Sequence, residues 1–132
     1  MNEITTELKS HFLRLYQMAL ADNNFDVLEM KMLYKFASDR NISKEELDNI
    51  LLSEYQESTI PKTLELKIEY LYDLAVMIWA DGVVTEDEIT TLKKYCHKFG
   101  FLDENIEEIS KFLIENAKNK TSKIDLFNQL KP

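Results

Sequence analysis

The sequence predicts an all-α fold: a single compact bundle of about seven helices, built from two related three-helix units. The 132-residue chain contains only two glycines and two prolines, which is too few for the many tight turns of an all-β protein. Apolar residues recur at helical spacing, and residues typical of helix starts precede most of these segments. A hydrophobic content of 45% is sufficient for the core of one domain spanning residues 1–132.

The first three helices are delimited by local signals. The first is predicted from about Ile4 to Ala21, and Asp22-Asn23-Asn24 ends it. The segment Asp26 to Glu29 has the spacing of an N-cap followed by an acid, which opens a second helix. Asp39-Arg40-Asn41 ends that helix, and the capping box Ser43-Lys44-Glu45-Glu46 opens a third.

The second half of the chain is predicted in the same way. Pro61 suits the first turn of a fourth helix, which is apolar on every side from Leu74 to Ala80 and is therefore expected to be buried, with Trp79 as a central anchor. A fifth helix runs from about Glu86 to Phe99, and Gly100 ends it. Asp103 is expected to cap a sixth helix, and Thr121 or Ser122 a C-terminal helix over about 122–130.

The turn between the fourth and fifth helices combines several signals. Asp81-Gly82 tolerates a positive φ angle, which ends a helix and turns the chain. Thr85 and Glu88 have capping-box spacing. Glu86 and Asp87 join Glu88 in the first helical turn, where the helix dipole favours negative charge. The segment is therefore predicted to be a helix, a short turn and a second helix.

An internal repeat relates the two halves of the chain. A shift of 59 residues places about 12–54 on about 71–113. Nine positions are then identical, and two others carry similar residues, Phe36 opposite Tyr95 and Leu47 opposite Ile106. The repeat predicts two related three-helix units, with the last helix as a lid or brace. The identical pairs comprise Leu15, Met18, Ala21, Asp22, Glu29, Leu33, Lys35, Glu45 and Ile50, which recur as Leu74, Met77, Ala80, Asp81, Glu88, Leu92, Lys94, Glu104 and Ile109.

These residues resemble the TerB-like family, which includes tellurite-resistance proteins and the N-terminal domain of a DnaJ-type, membrane-anchored co-chaperone. The resemblance covers about Phe12 to Leu113 and is carried by Ala80-Asp81-Gly82 with Glu88, echoed by Ala21-Asp22-Asn23 with Glu29. It implies a bundle of about seven helices, clustered acids that bind metal, a link to stress response and no catalytic activity. Asn23 stands where the family pattern has glycine, so two symmetric sites are not implied.

The same acids are candidate ligands for a calcium ion. Asp81 to Glu88 matches the second half of an EF-hand loop, but an EF-hand needs oxygen ligands where this chain has Met77 and Trp79. A looser site for a divalent cation such as calcium or magnesium is predicted if Asp81, Glu88, Asp22 and Glu29 converge. In the alternative interpretation these acids only cap helices and offset the helix dipole.

Charge and cysteine content restrict the partners and the compartment. The net charge of -8 argues against a nucleic-acid partner and favours cations, basic partners or plain solubility as its explanation. Cys96 is the single cysteine, so an internal disulfide is excluded and a reducing, cytoplasmic location is predicted. Cys96 is expected to be a small buried thiol and His97 an exposed side chain. No apolar run is long enough for a transmembrane segment.

Three functions are compatible with these features. The first is a non-enzymatic TerB-like module for protein–protein interaction, with a cation at the Asp81/Glu88 turn. The second is a purely structural interaction domain without metal. The third is a carboxylate-metal enzyme, which ranks last because the Glu-x-x-His pairing of di-iron bundles does not occur in the sequence.

Overall fold

The computed structural model describes residues 5–21, 27–52, 60–79, 82 and 84–130, with the helix backbone alone at 17–21 and 27–30. Every regular element in these ranges is a helix, which confirms the predicted all-α class. The seven helices of the described ranges are α1 (Thr6–Ala21), α2 (Val27–Asp39), α3 (Lys44–Leu52), α4 (Leu64–Ile78), α5 (Glu86–Lys98), α6 (Asp103–Lys118) and α7 (Lys123–Leu130).

The helices form two compact units, Met1–Ile60 and Pro61–Pro132. In the first unit, α1, α2 and α3 all pack against one another. In the second unit, α4, α5 and α6 do the same, and α7 follows α6. Helix boundaries follow the sequence repeat: shifted by 59 residues, α2 coincides with α5, and the first residue of α3 falls on the first residue of α6.

The ends of α2 and α5, which are repeat-equivalent, have the same backbone geometry. Asn41 has a φ angle of 59°, and its repeat counterpart Gly100 has a φ angle of 92°. After Asn41, the Ile42 N–H donates to the Ala37 carbonyl at 2.8 Å, and after Gly100 the Phe101 N–H donates to the Cys96 carbonyl at 3.2 Å. Both are Schellman-type closures, in which a residue at positive φ lets the chain satisfy carbonyls of the last helical turn. The predicted stop at Gly100 is confirmed.

Helix starts agree with the sequence at most positions. The predicted Ser43 capping box is present, because the Glu46 N–H donates to Ser43 Oγ and the Ser43 N–H donates to Glu46 Oε1, both at 3.1 Å. Ser122 Oγ accepts from the Asp125 N–H at 3.2 Å and so caps α7 as predicted. The predicted cap at Asp26 lies outside the described residues.

Two predicted helix starts are wrong. Pro61 lies before α4 rather than in its first turn, because Thr63 is the N-cap and accepts from the Leu66 N–H. Asp103 does not cap α6. Leu102 has extended backbone and is the N-cap of α6, without a side-chain hydrogen bond. Asp103 is the first helical residue. An acid there still interacts favourably with the helix dipole.

The cores of the two units use equivalent positions. Leu15 and Leu33 in the first unit are fully buried, as are their repeat counterparts Leu74 and Leu92 in the second. Helix α4 is buried on every side from Tyr70 to Ala75, whereas Val76 and Trp79, within the stretch Leu74 to Ala80 that was predicted to be buried, are half-buried. Even so, neither α4 nor any other described helix combines the length and apolarity required to cross a bilayer.

Candidate functional site

The turn after α4 has the predicted backbone geometry where it is described. Gly82 has a φ angle of 80°, and its N–H donates to the Trp79 carbonyl at 2.9 Å. A side chain at this position would have open space around it. The preference for glycine therefore comes from the positive φ angle and not from a steric contact.

Thr85 and Glu88 form the predicted capping box at the start of α5. Thr85 Oγ1 accepts from the Glu88 N–H at 3.2 Å, and the Thr85 N–H donates to Glu88 Oε1 at 3.0 Å. The Thr85 hydroxyl also donates to Glu88 Oε1 at 3.0 Å. The Glu88 carboxylate therefore serves as a helix cap through Oε1, as the alternative interpretation of these acids requires.

The convergence of the four predicted metal ligands stays a prediction. Asp81 and Asp22 lie outside the described residues. Glu29 belongs to α2, but its side chain also lies outside them. Only Glu88 is described in full, in the capping box. In the described part of the chain, no three His, Cys, Asp or Glu side chains are grouped in a way that would hold a metal ion.

We expect Thr85→Ala to lower the free energy of unfolding by about 1 kcal/mol, because the Glu88 N–H loses Thr85 Oγ1, its capping acceptor. The loss should be the same in EDTA and in millimolar calcium if the box acts only as a cap. Urea unfolding followed by circular dichroism measures both values. Thr90→Ala, on the exposed side of the same helix, is the matched control and should cost nothing; an equal cost for both variants would contradict a capping role.

Cys96 and His97 behave as the sequence predicts. Cys96 is fully buried, and burial raises the pKa of its thiol to about 11. Such a thiol is protonated and unreactive at neutral pH. His97 is exposed, and its Nδ1 lies 2.9 Å from Asp103 Oδ1. The two neighbouring residues therefore point to different environments and do not form one site.

A groove on the second unit was not predicted. It has a volume of about 740 Å³ and lies between α5 and α6 beside the end of α4. Its apolar surface comes from Trp79, Ile89 and Ile114. The remaining lining residues are polar or charged: Glu86, Thr90 and Lys93 on α5, and Glu107, Ser110, Lys111, Glu115 and Lys118 on α6. The helical spacing of the lining residues within each helix was the sequence signal that they share a face.

Trp79 lies on the groove and not in the centre of the core. Its side chain is half-buried, and its indole Nε1–H donates to the Ile114 carbonyl at 2.9 Å. A tryptophan with its N–H satisfied and part of its ring accessible is typical of binding surfaces, where one large rigid side chain supplies much of the contact area. The predicted central anchor is therefore a link between the end of α4 and α6.

A polar bridge joins the two walls of the groove. Lys93 Nζ donates to Glu107 Oε2 at 2.7 Å, and this bond holds the pKa of the Glu107 carboxyl below its ordinary value. The first unit has a bridge at the repeat-equivalent positions, where the Tyr34 hydroxyl donates to Asp48 Oδ1 at 2.8 Å. That bond raises the pKa of Tyr34. Both units thus have a bridge at this position, made by different side chains.

Comparison with known proteins gives no relative. No family model matches the chain, and neither a curated protein nor a solved structure matches it. The resemblance to the TerB-like family therefore stays a prediction.

Proposed function

We propose that this chain is a non-enzymatic, TerB-like helical module that binds a partner protein through the α5/α6 groove. The observation that supports this function is the groove itself, which is lined by the half-buried Trp79 together with Ile89 and Ile114. Tryptophan and other large side chains in pockets contribute a large share of the energy at protein interfaces. A link to stress response follows from the family resemblance and is part of the proposal.

The walls of the groove are suited to holding a fixed shape. The Thr85 capping box precedes α5, and the turn at Gly100 follows it. Both ends of α5 are therefore fixed by local hydrogen bonds. The Lys93–Glu107 bridge then ties α5 to α6, and the Trp79–Ile114 bond ties the end of α4 to α6. A preformed groove loses little conformational entropy on binding, which supports recognition of a partner segment.

The hydroxyl groups in the groove support a non-enzymatic function. Ser110 Oγ donates to the Glu107 carbonyl of its own helix at 3.0 Å. Thr90 is exposed on the α5 wall. A nucleophilic serine would instead donate to a general base, so the bond made by Ser110 supports a structural role for its side chain.

The test is to block the groove without disturbing the core. Thr90→Arg places a long cation over the groove, and the repeat-equivalent position already carries the exposed Lys31, so the helix tolerates such a side chain. Asn49→Arg, at an exposed site on α3, is the charge-matched control. Immobilised wild type and both variants are incubated with lysate of the source cells, and retained proteins are identified by mass spectrometry.

We expect at least one protein to be retained by wild type and by Asn49→Arg and to be lost with Thr90→Arg. Circular dichroism confirms that both variants are folded. If wild type and Thr90→Arg retain the same proteins, the groove is not the binding surface and the proposed function is wrong.

The cation site is a separate part of the prediction and has its own test. If Asp81 and Glu88 hold calcium or magnesium, millimolar cation should raise the unfolding temperature over that in EDTA, because a ligand that binds only the folded state stabilises it. The rise should vanish in Asp81→Ala/Glu88→Ala. Trp79 is the only tryptophan and lies two residues before Asp81, so its fluorescence gives a second readout. A rise that persists in the double variant would place the cation elsewhere, and no rise would leave the acids as caps.

A further inference from the structure

We propose that the segment bound in the α5/α6 groove is a basic amphipathic helix, whose lysine or arginine side chains lie against Glu86 and Glu115. This inference rests on the proposed function and names the chemistry of the partner. It follows from the register of the two helices, the distribution of charge along the groove and the position of Trp79.

The register places Glu86 and Glu115 on opposite walls at one end of the groove. Only residues 99–102 separate α5 from α6, and Lys93 bridges Glu107, so the two helices form an antiparallel hairpin. Seven residues correspond to about two helical turns. Two turns back from Lys93 on α5 is Glu86, and two turns on from Glu107 on α6 are Ile114 and its neighbour Glu115. The two carboxylates therefore flank the end of the groove remote from the 99–102 link.

The balance of acidic and basic side chains differs between the two ends of the groove. Near the link, Lys93 and Lys111 both approach Glu107, at 2.7 and 3.9 Å. At the remote end, neither Glu86 nor Glu115 takes part in an ion pair with another described residue. Lys118 also lines the groove, about one turn beyond Glu115. Three acidic and three basic residues line the whole groove, but at this end two carboxylates face one ammonium. The remote end therefore attracts a cationic side chain.

Three further features favour a basic helix. The groove lining combines the apolar residues Trp79, Ile89 and Ile114 with charged residues on both walls, which suits the apolar stripe and polar flanks of an amphipathic helix bound in a groove. The indole ring can also attract a lysine or arginine side chain through a cation–π interaction. Finally, the net charge of -8 on the whole chain steers basic partners toward it during association.

Two synthetic peptides test this inference. Both are about sixteen residues long, contain no tryptophan and share one leucine-rich face; one carries lysine on its flanks and the other carries glutamate at the same positions. Binding to the full chain is measured from Trp79 fluorescence at low and at high salt. We expect the lysine peptide to bind at least about tenfold more tightly at low salt, and the difference to shrink at high salt.

Charge variants assign the preference to the two glutamates. Glu86→Lys/Glu115→Lys should reverse the preference between the peptides, and the milder Glu86→Gln/Glu115→Gln should reduce it. Glu104→Lys/Glu108→Lys changes two exposed acids of α6 that do not line the groove, so it is the matched control and should keep the preference for the lysine peptide. Circular dichroism verifies that each variant is folded.

Equal binding of both peptides, binding of neither, or the same effect from the groove variants and the control would overturn the inference. None of these results alters the outcome of the Thr90→Arg capture experiment, which decides the proposed function. A groove that captures a protein but rejects the lysine peptide would thus refute the basic helix while leaving the interaction module supported.

Discussion

We expect Leu92→Ala to lower the free energy of unfolding by about 2–5 kcal/mol. Leu92 lies in α5 and is fully buried, so truncation removes apolar contacts and leaves a cavity that the neighbouring helices fill only in part. Urea unfolding followed by circular dichroism at the helix band measures the change. A loss of this size is a large fraction of the stability of a small domain.

Leu102→Ala is the matched control for this experiment. Leu102 is the N-cap residue of α6 and is 62% exposed, so the same chemical truncation removes little buried surface and should change the free energy of unfolding by less than about 0.5 kcal/mol. Similar losses for the two variants would show that Leu92 is not in a packed core.

The second large effect is expected at the start of α7. Asp73 lies inside α4 with its side chain almost fully buried, and Lys123 Nζ lies 3.1 Å from Asp73 Oδ1. We expect Lys123→Met to lower the free energy of unfolding by about 1–3 kcal/mol, because a buried carboxylate loses a cation. Methionine retains most of the apolar stem, and the partial solvent exposure of Lys123 places the loss below that of a fully buried pair.

Lys94→Met controls for the loss of one surface lysine. Lys94 is exposed on α5, and its substitution should change the free energy of unfolding by less than about 0.5 kcal/mol. Urea unfolding of both variants at neutral pH gives the comparison. A Lys123→Met protein as stable as the control would mean that the Asp73 carboxylate does not depend on Lys123.

The contacts of α7 explain why this position matters. The Tyr72 hydroxyl of α4 donates to the carbonyls of Asn116 and Thr121, which precede α7. Leu126 is fully buried, and Gln129 Nε2 donates to Asn116 Oδ1 at 2.9 Å. Together with Lys123, these contacts attach the last helix to the second unit, which agrees with a brace, one of the two roles predicted for it.

Local features of the molecule were accessible from the sequence. The capping boxes at Ser43 and Thr85 and the stop at Gly100 depend on residues within one or two helical turns, so sequence spacing alone specifies them. The repeat predicted two three-helix units for the same reason, because it places equivalent caps and apolar stripes in each half. The buried thiol of Cys96 followed from its place on an apolar helix face.

Sequence spacing could not specify features that depend on other helices. Asp73 is buried beside Lys123, fifty positions away along the chain. Trp79 is half-buried, and its indole bonds to Ile114 on another helix. The groove likewise exists only because α5 and α6 form a hairpin beside the end of α4. The four acids predicted to bind a cation illustrate the same limit, since their spacing predicts helix ends while their convergence depends on tertiary packing.

The sequence by itself therefore determined the helices, most of their caps and the repeat, since these depend on backbone propensity and hydrogen bonds between near neighbours. Only the tertiary structure decided which polar residues are buried and where a binding surface forms. The physical reason is that burial and concavity are properties of the space between helices, and that space is set by packing distances and angles which no single segment contains.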